Sequence, residues 1–404
     1  MKPEKFYSLF LFMSSFAGCL VVGIYVPYLI HLGLTKADIF LINAIFWLAI
    51  SSSEIITGML ADGKSRAWSV RTGLLLSVAS SVIYAGATFV HAKWQVMTIA
   101  LVAEVLEGIG MSFMSGAQQA WLSDALIKHG HKDKDEQARI FARTAKWDSL
   151  GMLLGGSLSF IIINYGYTFS WATRALMILA AWLLCKLVMN GDGEPVVRTS
   201  ELKSLRDSWH SMTTSRSLRW AAVAGMILGF VLTFNLTWVP HFNPSADGIT
   251  ANSLLTAFLW AMINLGLFFG NRLVERSKYL RLKQTLAIPL ALTLAGLGLV
   301  LLGYMPNSLV AIPFIILHEM GRGMFHPLMN GFIYSRVGSS FKATYGSLQS
   351  MVARFGFALV LFAGWILMRG VHANIGDGVI WPTAGLALVL CSVLLWSIRP
   401  RTEA

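Results

Sequence analysis

Gly58-Met59-Leu60-Ala61-Asp62-Gly63-Lys64-Ser65-Arg66 joins two long apolar runs, and its charges fall where one run ends and the next begins. So short a connection turns the flanking segments back on each other as an antiparallel pair. Lysine and arginine collect in the short cytoplasmic loops of membrane proteins, so Lys64 and Arg66 also assign this turn to one side of a bilayer.

The rest of the chain has the same character. Of its 404 residues, 55% are hydrophobic and 13% charged, and the mean hydropathy is +0.63. A water-soluble surface takes roughly 25% charged residues, so the main solvent of this chain is lipid. The net charge of +12 does not indicate nucleic acid, because no basic domain with interleaved aromatics carries it. Cys19, Cys185 and Cys391 lie far apart within apolar runs, with no CxxC and no Cys/His cluster, so neither a disulfide framework nor a metal site is expected. No cofactor is expected either. Lys2 and Lys5 precede the first apolar run without a small-residue cleavage site after a short core, which predicts a retained helix rather than a signal peptide.

A bilayer-spanning helix takes about 20 predominantly apolar residues. That ruler predicts twelve, near 6–30, 39–60, 72–90, 95–122, 140–164, 167–188, 220–241, 253–273, 285–304, 308–334, 345–368 and 378–397. With the N-terminus inside, 23 lysines and arginines fall in the cytoplasmic connections, and Lys36, Lys93 and Arg369 fall outside. The asymmetry predicts both termini in the cytoplasm, and the membrane expected is a bacterial inner one. The longest polar stretch, 189–219, divides the chain into an N-terminal six-helix bundle (1–188) and a C-terminal one (220–404). Within it Glu201 to Trp209 reads as a charged, amphipathic piece.

The halves echo each other. Gly108-Ile109-Gly110-Met111 in the fourth segment corresponds to Gly321-Arg322-Gly323-Met324 in the tenth. Gly58 before its charged loop corresponds to Gly270 before Arg272, Glu275 and Arg276. A duplicated six-helix unit accounts for these matches, and pseudo-symmetric halves are a common basis of alternating access.

Gly58-x-Leu60-Ala61-Asp62-x-x-x-Arg66 resembles the loop motif between the second and third helices of the major facilitator superfamily, G-x-L-A-D-R-x-G-R-R/K. Gly63, Ser65 and Ala67 depart from it, and Lys64 supplies a cation from the neighbouring position. The resemblance implies an all-α polytopic membrane protein, with twelve helices in two pseudo-symmetric six-helix bundles. It also implies that Asp62 and Arg66, on the frame of Gly58 and Leu60, belong to a charge cluster closing the cytoplasmic side. Asp62 would then face the start of the eleventh helix near Thr344 to Ser347. In the fourth segment Glu104 stands where the superfamily's R-x-x-x-G-x-G motif has arginine, so no role of that arginine carries over. Gly151-Met152-Leu153-Leu154-Gly155-Gly156 resembles an antiporter signature, G-P-x-x-G-G, without its proline.

An ionisable residue inside a membrane helix is costly and therefore a functional candidate. Glu54, Glu104, Glu107 and Asp148 are the candidates for proton coupling. Glu104, Glu107, Met111 and Gln118 share one helical face, and two carboxylates one turn apart repel, so a proton on either relieves the pair. Pairing with Arg143, Lys146 or Arg174, or direct contact with a solute, would use the same residues differently. Glu319, Arg322, His326 and Asn330 line a stripe of the tenth segment. Glu319 and Arg322 can neutralise each other; alternatively Arg322 and Arg354 face a central cavity with Asn235 and Trp238 and bind an anionic or polar solute. His318-Glu319 lacks the second histidine of H-E-x-x-H, whose place Arg322 takes. No hydrolase signature or phosphate loop appears, so neither an enzyme nor a catalytic residue is expected.

The sequence thus predicts a monomeric secondary active transporter that moves a small solute through a membrane by alternating access. Coupling to protons and export of a drug-like compound or metabolite are the leading expectations. The alternative is proton-coupled uptake of a small organic solute, and a remote one is a polytopic membrane enzyme or receptor.

Overall fold

A computed structural model describes residues 2–130, 134–189, 201–242, 253–305, 308–337, 342–370 and 377–400. Among them the regular structure is helical, with no strand. Lipid offers no partner to a backbone N–H or C=O, and a helix satisfies both internally.

In chain order the helices are α1 (Pro3–Cys19), α2 (Tyr25–His31), α3 (Lys36–Gly63), α4 (Arg66–Gly86), α5 (Lys93–Met114), α6 (Ala117–Lys128), α7 (Lys134–Ile162) and α8 (Tyr167–Val188). They continue as α9 (Glu201–Thr214), α10 (Arg216–Ile227), α11 (Leu232–Phe242), α12 (Ser253–Arg276), α13 (Lys278–Leu282), α14 (Gln284–Leu302), α15 (Ser308–Tyr334), α16 (Lys342–Gly370) and α17 (Asp377–Ser397). Among the described residues, ten stretches are long and apolar enough to cross a membrane. The two remaining segments expected from the sequence are helical but atypical. The first is interrupted at 20–24 between α1 and α2, where Gly23 lies against the Phe160 ring. The tenth is the unbroken α15, whose polar stripe lowers its hydropathy.

Two further interruptions occur within predicted segments. Gly116, at φ +76°, separates α5 from α6 in a backbone region that glycine enters without strain. A 3-10 turn, Leu228–Val231, separates α10 from α11. The nonapeptide Gly58–Arg66 is less of a loop than its sequence suggests. Helix α3 runs to Gly63, and the Ser65 hydroxyl accepts a hydrogen bond from Trp68 N–H (3.0 Å), capping α4.

The chain forms two compact units. The first holds most of the chain up to 198, and the second holds most of it from 199 onward. Lys36–Trp47, the start of α3, groups with the second unit, and the first residues of α12 group with the first. Inside the first unit α1 packs on α7, and α4 packs on both α5 and α8. Inside the second, α10 packs on α16, and α14 packs on both α15 and α17. The same three pairings recur at equivalent places, as a duplicated unit requires. Helix α9 packs on α10 and α16, with Met212 buried in the core of the second unit.

Glycines set the helix spacing, because small residues let backbones approach where lipid supplies no hydrophobic drive between helices. A Cβ on Gly155 of α7 would lie 2.2 Å from Phe16 O of α1, and one on Gly151 would lie 2.5 Å from Phe12 O. Gly73 and Gly110 join α4 to α5 in the same way, and Gly321 seats α15 against Ala291 and Ala295 of α14. By these contacts Gly110 has its counterpart in Gly321, whereas Gly323 faces Leu267 of α12. The glycine echo in the sequence is therefore offset in register.

Gly155→Val should lower the melting temperature of purified protein, reflecting an overpacking cost of about 1–3 kcal/mol. Gly58→Ala should not lower it, since no atom lies within 4 Å of the added carbon and alanine favours the helix. Equal melting temperatures for Gly155→Val and wild type would show that α1 and α7 do not depend on this contact.

Candidate functional site

The first unit concentrates its membrane charges where α4, α5 and α8 meet. Arg174 of α8 donates from Nη2 to Glu107 Oε1 (2.6 Å) and from Nη1 to Ser81 Oγ of α4 (2.5 Å). Its guanidinium also stands 5.8 Å from the centre of the Trp171 ring. Glu104, one turn before Glu107 and buried, takes no ion pair among the described residues. Its Oε1 accepts instead from the Tyr84 hydroxyl (2.8 Å), and Tyr25 joins the same hydrogen-bonded group. Tyr84 is held in turn, stacked on Trp171 at 4.3 Å and accepting at its backbone carbonyl from the Tyr28 hydroxyl (2.5 Å).

The two carboxyls thus have one cation beside them, bonded to Glu107 alone. Among the described residues Glu107 Oε2, Arg174 Nε and Trp171 Nε1 are buried without a hydrogen-bond partner. A buried polar group left unpaired costs roughly 1–3 kcal/mol.

The other proton-coupling candidates lie elsewhere in the unit. Glu54 of α3 is buried, and its Oε1 accepts from the Ser115 hydroxyl (2.9 Å) at the break between α5 and α6. Thr57, three residues on, meets Ser112 (2.7 Å). Asp148 of α7 accepts from the Ser15 hydroxyl of α1. The four carboxyls named from the sequence therefore occupy three separate places.

In the second unit Arg322 donates from Nη1 to both oxygens of Glu319 (2.7 and 2.8 Å) and to Asn235 Oδ1 of α11 (3.0 Å). Glu319 is fully buried because Gly266 of α12 leaves room for it; a Cβ there would lie 2.6 Å from Glu319 Cβ. The carboxylate is sealed beneath α12 while Arg322 remains partly exposed, and Asn235, His326 and Asn330 are exposed beside or beyond it. Arg322 thus neutralises Glu319, as one reading of the sequence expects, and of the residues expected to join it at a cavity it contacts Asn235. Trp238 is buried and stacks on Trp260 at 6.3 Å. Arg354 is half-buried on α16.

In the motif, Arg66 pairs with Asp124 of α6 and donates to Ala120 O (3.0 Å). Lys64 stands 4.2 Å from the centre of the Trp68 ring. Gly58 and Leu60 are exposed on the last turns of α3, and the Asp62 side chain lies outside the described residues. Sequence reasoning missed Asp124, although it is an acid on the cationic side of the chain, the same signal that singled out Asp62. It also missed Tyr84, Tyr25 and Ser81, which carry no mark in sequence until their partners are known. Among the described residues no cluster of histidine, cysteine and carboxylate could hold a metal ion.

The sequence model of the Major Facilitator Superfamily matches residues 8–361. The chain belongs to this superfamily. It is a multi-pass membrane transporter and not an enzyme. Its fold is similar to the crystal structure of the nucleoside transporter NupG, with a TM-score of 0.77 at 12% identity over 98% of this chain and 99% of that one. It is also similar to that of a D-xylose-proton symporter, with a TM-score of 0.75 at 12% identity over 99% and 98%. Identities this low define a shared fold. No curated protein sequence matches significantly.

Arg174→Met should destabilise the protein by about 3–5 kcal/mol, because Glu107 is left buried without its cation. The double variant Arg174→Met/Glu107→Met should recover most of that loss. A double variant as unstable as the single one, in thermal unfolding of the purified protein, would show that the pair itself is not the source of the cost.

Proposed function

We propose that this chain is a symporter that takes up a small polar organic solute together with protons across a bacterial cytoplasmic membrane, as a monomer with both termini inside. The observation that carries the coupling is the Glu104–Glu107–Arg174 group, where one of two neighbouring carboxyls is bonded to the cation and the other is held by a tyrosine hydroxyl. A proton on Glu104 balances the charge, and Tyr84 and Tyr25 can hold either form by turning a hydroxyl. Its loss leaves an extra buried charge, which a rearrangement of the unit relieves. Glu107 and Arg174 position that carboxyl. Arg322 and Asn235 are the proposed handle for the solute, because a partly exposed guanidinium neutralised from behind favours polar or anionic groups without demanding a full counter-charge.

Uptake is preferred to export because the feature that suggested export has a packing role and a similar fold belongs to a symporter. The glycines Gly151 and Gly155, which resemble an antiporter signature, are fully used in seating α7 on the α1 backbone, so they carry no information on direction. The folds similar to this one include a nucleoside transporter and a proton symporter of D-xylose, which makes nucleosides and pentoses the first solutes to try. Asp62 is proposed as a cytoplasmic latch, with Gly58 and Leu60 as its frame and Arg66 held by Asp124.

In proteoliposomes with an acidic exterior, uptake of labelled solute should exceed that without a pH gradient. Glu104→Gln keeps an acceptor for Tyr84; it should lose gradient-driven uptake at least about tenfold while retaining counterflow. Wild-type driven uptake in that variant would remove Glu104 as the coupling group, and acid-driven efflux in place of uptake would restore the export reading. Asp62→Asn should fold normally and slow both driven uptake and counterflow; unchanged rates would end the latch assignment.

A further inference from the structure

Away from these sites, a groove of about 600 Å³ lies between α1 and α7 of the first unit. Its apolar walls include Leu9, Phe12 and Trp147, and Lys5 and Arg143 stand at it with Glu4. Lys5 and Arg143 are exposed, and among the described residues neither has an ion-pair or hydrogen-bond partner for its side chain. Glu4 offsets one of the two charges, which leaves the groove net positive.

The apolar wall continues along α7. Trp147, Leu150 and Leu154, spaced by three and four residues, are 49%, 39% and 45% exposed and form one strip on the helix. Past Asp148 the sequence of α7 carries no charge to its end at Ile162, and Arg143 stands less than two turns before that apolar run. The cation therefore stands at the edge of the hydrocarbon, and the strip runs into it. A free small anion would match the two cations and leave the strip bare. A second copy presenting the same face would bring like charges together. An anionic phospholipid matches both features, with its phosphate at the edge and its chain in the hydrocarbon.

We propose that this groove binds one anionic phospholipid, with the phosphate between Lys5 and Arg143 and an acyl chain along Trp147, Leu150 and Leu154. The lipid belongs to the leaflet on the side where α1 begins, and it ties α1 to α7 by neutralising both helices at once.

Native mass spectrometry of the full chain tests this with phosphatidylglycerol and phosphatidylcholine of identical acyl chains. Two cations near a membrane surface, each contributing about 1 kcal/mol, predict about a thirtyfold preference for phosphatidylglycerol. Lys5→Gln/Arg143→Gln should remove that preference, and each single variant should reduce it about fivefold, which keeps the test alive should the double variant fail to fold. Glycerol phosphate, which has no acyl chains, should not displace the lipid. The proposal is overturned by equal binding of the two lipids to wild type, by an unchanged preference in the variants, or by displacement with glycerol phosphate. A wild-type dimer that the double variant abolishes would overturn it as well.

Discussion

A chain dissolved in lipid can leave neither a backbone polar group nor a side-chain charge to the solvent, and most of this structure depends on that constraint. Its backbone part makes every crossing segment a helix. Its side-chain part determines where helices meet, since each buried charge needs a partner from another helix within reach. Arg174 binds α8 to α4 and α5 through Ser81 and Glu107, and Arg322 binds α15 to α11 through Asn235. Cohesion between the remaining surfaces comes from close backbone approach, with Gly73 and Gly110 in one unit and Gly321 in the other.

One departure from ideal helix coincides with a buried carboxyl. The gap between α5 and α6 is formed at Ser115 and Gly116, and Ser115 is the residue that donates to the buried Glu54. A break in a membrane helix exposes backbone groups that must find partners, and such breaks are tolerated where a polar side chain is at hand. Glu54 and the break therefore support each other. The first segment breaks at 20–24, and the 3-10 turn Leu228–Val231 occupies the corresponding helix of the second unit. The two units thus share an irregularity in their first helices, whereas the break between α5 and α6 has no counterpart in the unbroken α15.

The two charged groups differ in kind. In the first unit, two carboxyls and one guanidinium are enclosed with aromatic rings, and the hydrogen bonds to Glu104 come from phenols whose hydroxyls can reorient. In the second, a single carboxylate is sealed away and its arginine is turned outward. The first arrangement suits a group that changes protonation, and the second suits one that keeps its charge and offers it to a ligand.

Sequence alone determined the solvent, the helical crossings, the duplication and the superfamily, because these depend on apolar length, charge asymmetry and local motifs, all of which are written along one dimension. It also marked Glu104, Glu107, Glu319 and Arg322, since a charge in an apolar run stands out without any knowledge of its neighbours. Tertiary structure decided which charges are partners. Arg174 lies 67 residues from Glu107, and no periodicity links them. Asp124 reaches Arg66 only because α6 continues past Gly116 to the start of α4. The tyrosines around Glu104 carry no charge to betray them, so only the folded chain shows that its buried carboxyl is held by hydroxyls. The nonapeptide Gly58–Arg66 shows both sides of the division: its composition dictated the turn, while the packing of α6 supplied the partner for its arginine.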